Sequence, residues 1–91
     1  MAQVHIELPR LLEAVHAGPR DFTIEADDVA SAFAELKEQL PRLSLHLFDE
    51  TGSLRRHVLC FVNEQNCRWL ADDQPLREGD TLLFTQAVTG G

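Results

Sequence analysis

The sequence predicts an α+β fold, with one small sheet covered on one face by a single amphipathic helix. Three observations predict it. Apolar residues alternate with polar ones near the start of the chain, and the last stretch is again strand-like. Between them one segment carries apolar residues at helical spacing. The length of 91 residues holds about one domain and one modest core.

The elements follow in order. In residues 3–8, Val4, Ile6 and Leu8 alternate with Gln3, His5 and Glu7, the pattern of a half-buried strand, and Pro9 ends it. Residues 9–20 are ambiguous: Leu11, Leu12 and Val15 could start a helical turn, and 16–19 reads as a turn. A second strand is expected over 21–25, with Phe22 and Ile24 on one face, forming a hairpin with the first. Asp27 or Asp28 can cap the helix that follows, accepting free N–H groups of its first turn. Val29, Phe33, Leu36 and Leu40 form its apolar stripe, and Pro41 stops it.

Residues 43–48 read as a short strand or an irregular packed segment, and 49–53 as a loop. The stretch 56–63 is apolar on both parities, with Val58, Cys60 and Val62 on one side and Leu59 and Phe61 on the other, as in a central strand. Residues 63–66 are turn material, and Arg68-Trp69-Leu70 is expected as a brief strand. Gly79 should sit in a turn at positive φ. The last strand, 80–87, again has both parities apolar, Leu82 and Phe84 against Leu83. One helix cannot cover two apolar faces. Either an apolar face stays partly exposed as a docking surface, or residues 9–20 or 43–48 fold over it. The candidate docking residues are Phe61 and Phe84, whichever faces solvent.

Composition narrows the function. Apolar residues make up 44% and charged residues 25%, ordinary for a globular protein. No apolar run approaches the ~18 residues of a membrane span, and the start of the chain shows no basic flank or apolar core of a secretion signal. A cytoplasmic protein is expected, with no membrane partner. Fifteen acids against eight bases give a net charge of −7, with no basic cluster beyond Arg55-Arg56, which disfavours nucleic acid. An acidic surface suits docking onto a basic protein. Cys60 and Cys67 are too few for a disulfide scaffold or a four-cysteine cluster. Cys60 reads as a buried small hydrophobe, whereas Cys67 lies in a polar turn and could be exposed.

The end of the chain carries the chemistry. Gly90 and Gly91, lacking Cβ atoms, could enter a channel too narrow for other residues. Extended, Val88–Gly91 reaches about 13 Å. A terminal carboxylate becomes reactive once adenylated, because AMP is a good leaving group, and a sulfur nucleophile can then convert it to a thiocarboxylate. That chemistry needs Gly91 to be last, and no residue follows it in the sequence.

Phe61-Val62-Asn63, then Arg68, then Leu76-Arg77-Glu78-Gly79-Asp80, and finally Ala87-Val88-Thr89-Gly90-Gly91 resemble the ubiquitin-like sulfur carrier family. That family includes the small subunit of molybdopterin synthase and the thiamine-pathway carrier. Its pattern is a strand ending in V-N, a G-D turn opening the last strand, and a V-x-G-G terminus. The resemblance covers the C-terminal third in detail and the rest by element order. It implies the β-grasp fold, a mixed sheet wrapped on one helix, with a domain over 1–87 and a flexible tail over 88–91. It implies Gly91 as the adenylated, sulfur-carrying position, and Gly90, Thr89 and Val88 as the segment that threads a partner's active site. Gly79-Asp80 and Asn63 would be structural turn residues. Many relatives place proline shortly before V-x-G-G, where this chain has Phe84-Thr85-Gln86-Ala87, so the comparison with that pattern implies a less stiff tail.

The implied partners are a ubiquitin-activating-type adenylating enzyme that uses ATP, a sulfur donor protein, and an acceptor enzyme such as the molybdopterin synthase large subunit. No bound cofactor and no metal are implied. The loop 49–56 and the long first connection favour the molybdopterin type, or carriers serving cysteine or other sulfur metabolites, over the shorter thiamine type. The chain itself is expected not to be an enzyme. His5, His16, His46 and His57 lack paired metal spacing, and no phosphate loop or nucleophile elbow is present. Two rivals stay open: a ubiquitin-like modifier joined through Gly91 to lysines of other proteins, and a plain β-grasp binding module with no terminal chemistry.

Overall fold

The computed structural model describes residues 2–10, 12, 16 and 18–86. Among these, five strands form one mixed sheet and two helices lie against it. The elements are β1 (Ala2–Glu7), β2 (Asp21–Ala26), α1 (Val29–Gln39), α2 (Pro41–Leu47), β3 (Val58–Val62), β4 (Gln65–Asn66), a 3-10 turn (Cys67–Trp69) and β5 (Thr81–Gln86). The sheet order is β2-β1-β5-β3-β4. β1 and β2 pair antiparallel, with Val4 opposite Ile24, as the alternation predicts. β5 runs parallel to β1 and antiparallel to β3, so the last strand occupies the middle of the sheet.

The start of α1 is closed by its own surroundings. An α-helix leaves its first four N–H groups without intrahelical partners. Here the Asp28 and Val29 N–H groups donate to Ser31 Oγ (3.0 Å) and the Gln74 carbonyl (3.2 Å). Those of Ala30 and Ser31 donate to the Asp72 carbonyl (2.9 Å) and Asp28 Oδ1 (2.7 Å). Asp28, rather than Asp27, is therefore the cap, and it forms a capping box with Ser31.

The buried face of α1 consists of Val29, Ala32 and Leu36, with Phe33 and Leu40 half-buried beside it. On the sheet, Val4, Ile6, Ile24, Val58, Cys60, Val62, Leu82 and Phe84 point into the same core. Phe33 packs on Phe48 and Phe84 at ring separations of 5.0 and 6.2 Å.

Three expectations require correction. Residues 41–47 form a helix, not a strand. Pro41 ends α1 but also opens α2 at its first turn, where a missing N–H costs nothing. Leu43 and Leu47, four residues apart, then share the buried face, while Leu45 on the other side is 66% exposed. Residues 67–69 are a 3-10 turn, opened by Asn66, whose side chain accepts from the Arg68 N–H at 2.9 Å. Cys67 is buried, because that turn packs against β3 and brings it into the core.

The capping box carries the first testable consequence. Asp28→Ala should lower the free energy of unfolding by about 1 kcal/mol, measured by thermal or urea denaturation. Phe84→Ala should cost about 3–5 kcal/mol, a large part of the stability of a domain this size.

Candidate functional site

β5 delivers the end of the chain. It is held on both edges, and its last described residue, Gln86, stands opposite Val58. The predicted tail residues Val88, Thr89, Gly90 and Gly91 lie outside the described residues. At the exit end of β5 the loop before β3 places Arg55, Arg56 and His57, the last two exposed. Arg55 is fixed there: its N–H and Nε donate to the carbonyls of Leu47 (2.9 Å) and Leu45 (2.8 Å). The exit is thus locally basic on a chain of net charge −7.

The other end of β5 is tied by the two turns that the sequence pattern singles out. Asn63 sits at φ 57°, the left-handed region that asparagine tolerates better than most residues. Its side-chain amide donates to Asp80 Oδ1 (3.2 Å), and its amide oxygen accepts from the Thr81 N–H (3.0 Å). Asp80 Oδ2 accepts from the Arg77 N–H (2.8 Å), which closes the turn through Gly79 at φ 87°. Gly79 N–H reaches the Gln3 carbonyl at 2.9 Å. Asn63, Gly79 and Asp80 therefore join the β3–β4 turn to the start of β5, and their role is structural.

The register sorts the two apolar parities. Phe84 is fully buried, so it belongs to the core and leaves the list of docking residues. Phe61 lies on the other face, directly opposite Leu83, and with Leu59 it is half-exposed. Leu12, Leu43, Leu47 and Phe48 all join the core under α1, so neither α2 nor the described part of 9–20 covers that outer face. Beside it, the 3-10 turn presents Trp69, 83% exposed, which with Phe61, Glu64 and Leu70 lines a shallow recess of about 510 Å³. The sequence reading passed over Trp69. Its signal was the sole tryptophan of the sequence, next to a turn-rich stretch.

On the opposite side a larger recess of about 730 Å³ opens between α1 and the loop after α2, lined by Phe33, Lys37, Asp49, Gly52 and Cys67. The Thr51 hydroxyl and the backbone N–H groups of Thr51 and Ser53 hold the Asp49 carboxyl below the usual carboxylate range. Lys37 donates from Nζ to the Gly52 carbonyl (2.9 Å) and lies over the Phe48 ring at 4.6 Å. Cys67 and Cys60 meet behind this recess. A hydrogen bond from the Cys60 thiol lowers the pKa of Cys67, assisted by Arg68, while the same bond and burial push Cys60 up. Among the described residues no three His, Cys, Asp or Glu side chains gather as a metal site, and no helix is long and apolar enough to cross a membrane.

A model of the ThiS family matches residues 15–91. The chain belongs to the ThiS family. Solved structures share its fold along nearly the whole length. Small archaeal modifier protein 1 from Methanosarcina acetivorans has a TM-score of 0.81 at 22% identity, covering 100% of this chain and 98% of that one. CysO from Mycobacterium tuberculosis gives 0.80 at 23%, covering 93% and 99%. A chain of the BexX/CysO complex from Amycolatopsis orientalis gives 0.79 at 22%, covering 97% and 99%. A search of curated proteins returned no match. The fold is the ubiquitin-like β-grasp.

The outer face makes a prediction of its own. Trp69→Ala should change the unfolding free energy by no more than about 0.5 kcal/mol. Measured by urea denaturation, a loss comparable to that of Phe84→Ala would mean that Trp69 packs as core.

Proposed function

We propose that this ThiS-family chain is a sulfur carrier charged at the carboxylate of Gly91. A partner enzyme transfers AMP from ATP to that carboxylate and releases pyrophosphate. A sulfur nucleophile then adds at the acyl carbon and expels AMP, leaving a thiocarboxylate. Its sulfur passes to an acceptor in a biosynthetic route such as that of molybdopterin, cysteine or a related metabolite. The chain is the co-substrate in these steps and the partner enzymes are the catalysts.

The observation that carries this reading is family membership over residues 15–91, a span that includes Val88-Thr89-Gly90-Gly91. The fold supports it. A strand paired on both edges carries the pull of a partner that draws the tail into its active site. Leu59, Phe61, Leu83 and Trp69 offer an apolar docking face on the side of the sheet away from the helices, and the acidic remainder of the chain suits a basic partner.

The name of the Methanosarcina relative, a modifier protein, favours a second reading: conjugation of Gly91 to lysines of other proteins. Both readings share the adenylate and differ in the acceptor. Lys37, the sole lysine, is already engaged with Gly52 and Phe48, which disfavours self-linkage.

The purified chain, incubated with its adenylating enzyme, ATP and hydrosulfide, should gain the mass of one oxygen exchanged for sulfur, and iodoacetamide should trap the new sulfur. Deleting Gly91 should abolish the gain. An unchanged mass after the enzyme has released pyrophosphate would refute the carrier reading, and a lysine adduct on another protein would select the modifier. In the same assay Trp69→Ala should weaken binding of the adenylating enzyme by about tenfold, roughly 1.4 kcal/mol.

A further inference from the structure

Cys60 and Cys67 stand at equal distances from the two-residue turn Asn63-Glu64. The ladder of that hairpin pairs Val62 with Gln65 and Phe61 with Asn66. Continued one step past the last pair, where the chain enters the 3-10 turn, that register would set Cys60 opposite Cys67. Directly opposed residues of an antiparallel pair share a face, with Cα atoms about 4.5–5.5 Å apart. A disulfide spans Cα separations of about 4.4–6.8 Å. Both side chains are buried in the same core, 0% and 8% exposed, and both thiols are free. Each thiol is the largest single influence on the titration of the other, Cys60 pushed up and Cys67 held down.

The two cysteines differ in access. Cys67 lines the recess of about 730 Å³ beside Phe33 and Lys37, which is open to a molecule the size of water. Cys60 does not line that recess.

We propose that Cys60 and Cys67 close an intramolecular disulfide when the protein meets a hydroperoxide, with Cys67 attacking first and Cys60 resolving. The Cys67 thiolate attacks one peroxide oxygen, and the O–O bond breaks. One oxygen stays on sulfur as a sulfenic acid, and the other leaves as hydroxide and takes a proton to become water. The Cys60 sulfur then attacks the Cys67 sulfur. The S–S bond forms, the S–O bond breaks, and the departing hydroxide takes the Cys60 proton as a second water. Two thiols lose two electrons and two protons, and one hydrogen peroxide becomes two waters. The hydrogen bond from Cys60 and the nearby Arg68 favour the thiolate at Cys67, the order this sequence needs. The new bond ties the 3-10 turn, and with it Arg68 and Trp69, to β3. The carrier chemistry at Gly91 uses neither thiol, so this site stands or falls independently of it.

The test uses the full chain treated with hydrogen peroxide, quenched, unfolded and exposed to N-ethylmaleimide. Intact-mass analysis should show a monomer lighter by two hydrogens that takes up no maleimide, and dithiothreitol should restore uptake of two. Peptide mapping without reductant should recover Cys60 linked to Cys67. Cys60→Ala should instead accumulate a sulfenic acid on Cys67 that dimedone traps. Uptake of two maleimides at unchanged mass after peroxide would overturn the proposal. So would a product linked only between chains. The peptide map of the unsubstituted protein decides the matter even where a variant fails to fold.

Discussion

The placement of β5 in the middle of the sheet is the constraint on which the rest depends. A strand with neighbours on both edges satisfies its backbone donors and acceptors within the sheet, and it can take apolar residues on both faces. Leu82 and Phe84 use the inner face to build the core under α1, while Leu83 uses the outer one to build an apolar stripe with Phe61. The first end of the strand is fixed by Asn63 and Asp80. Its other end leads towards the glycines. Core, surface and tail root therefore share one six-residue segment.

That arrangement explains why residues of different kinds recur together in the sequence pattern. Asn63 and Gly79-Asp80 look like two separate turn signals, seventeen residues apart in the case of Asn63 and Asp80. In space they are one hydrogen-bonded joint. Asparagine is suited to it because a residue at positive φ must also present an amide that both donates to a carboxylate and accepts from a backbone N–H. Aspartate is suited because it must accept from Asn63 and Arg77 together.

Much of the fold was legible because local physics and tertiary structure agree there. The alternation in 3–8, the cap before Val29, the helical stripe and the positive φ at Gly79 all read directly. The misses came where a local signal has two meanings. Leu43-Ser44-Leu45-His46-Leu47 alternates like a strand, yet its buried members, Leu43 and Leu47, are spaced as on a helix, and only the exposure of Leu45 distinguishes the two. Pro41 reads as a stop and serves equally as a start. Which parity of β3 and β5 faces inward is undecidable locally, because both are apolar, and this left Phe61 and Phe84 unsorted. The pairing of Cys60 with Cys67 needed the hairpin register: neither cysteine signals it alone, although their equal spacing about Asn63-Glu64 was there to be seen. Of the candidate site, the glycine pair was legible as a motif, and Trp69 was not, since nothing local says that a 3-10 turn holds it outward.

The closed start of α1 removes from this chain one of the common ways that a fold holds an anion. Helix openings commonly serve as sockets for phosphate, because unclaimed amides and the helix dipole converge there. In this chain the socket is plugged from within: Ser31, Asp28 and the carbonyls of the 72–74 segment occupy all four amides. The main helix has thus surrendered its anion-holding end to the cohesion of its own fold, and its first turn has no amide left over for a phosphate.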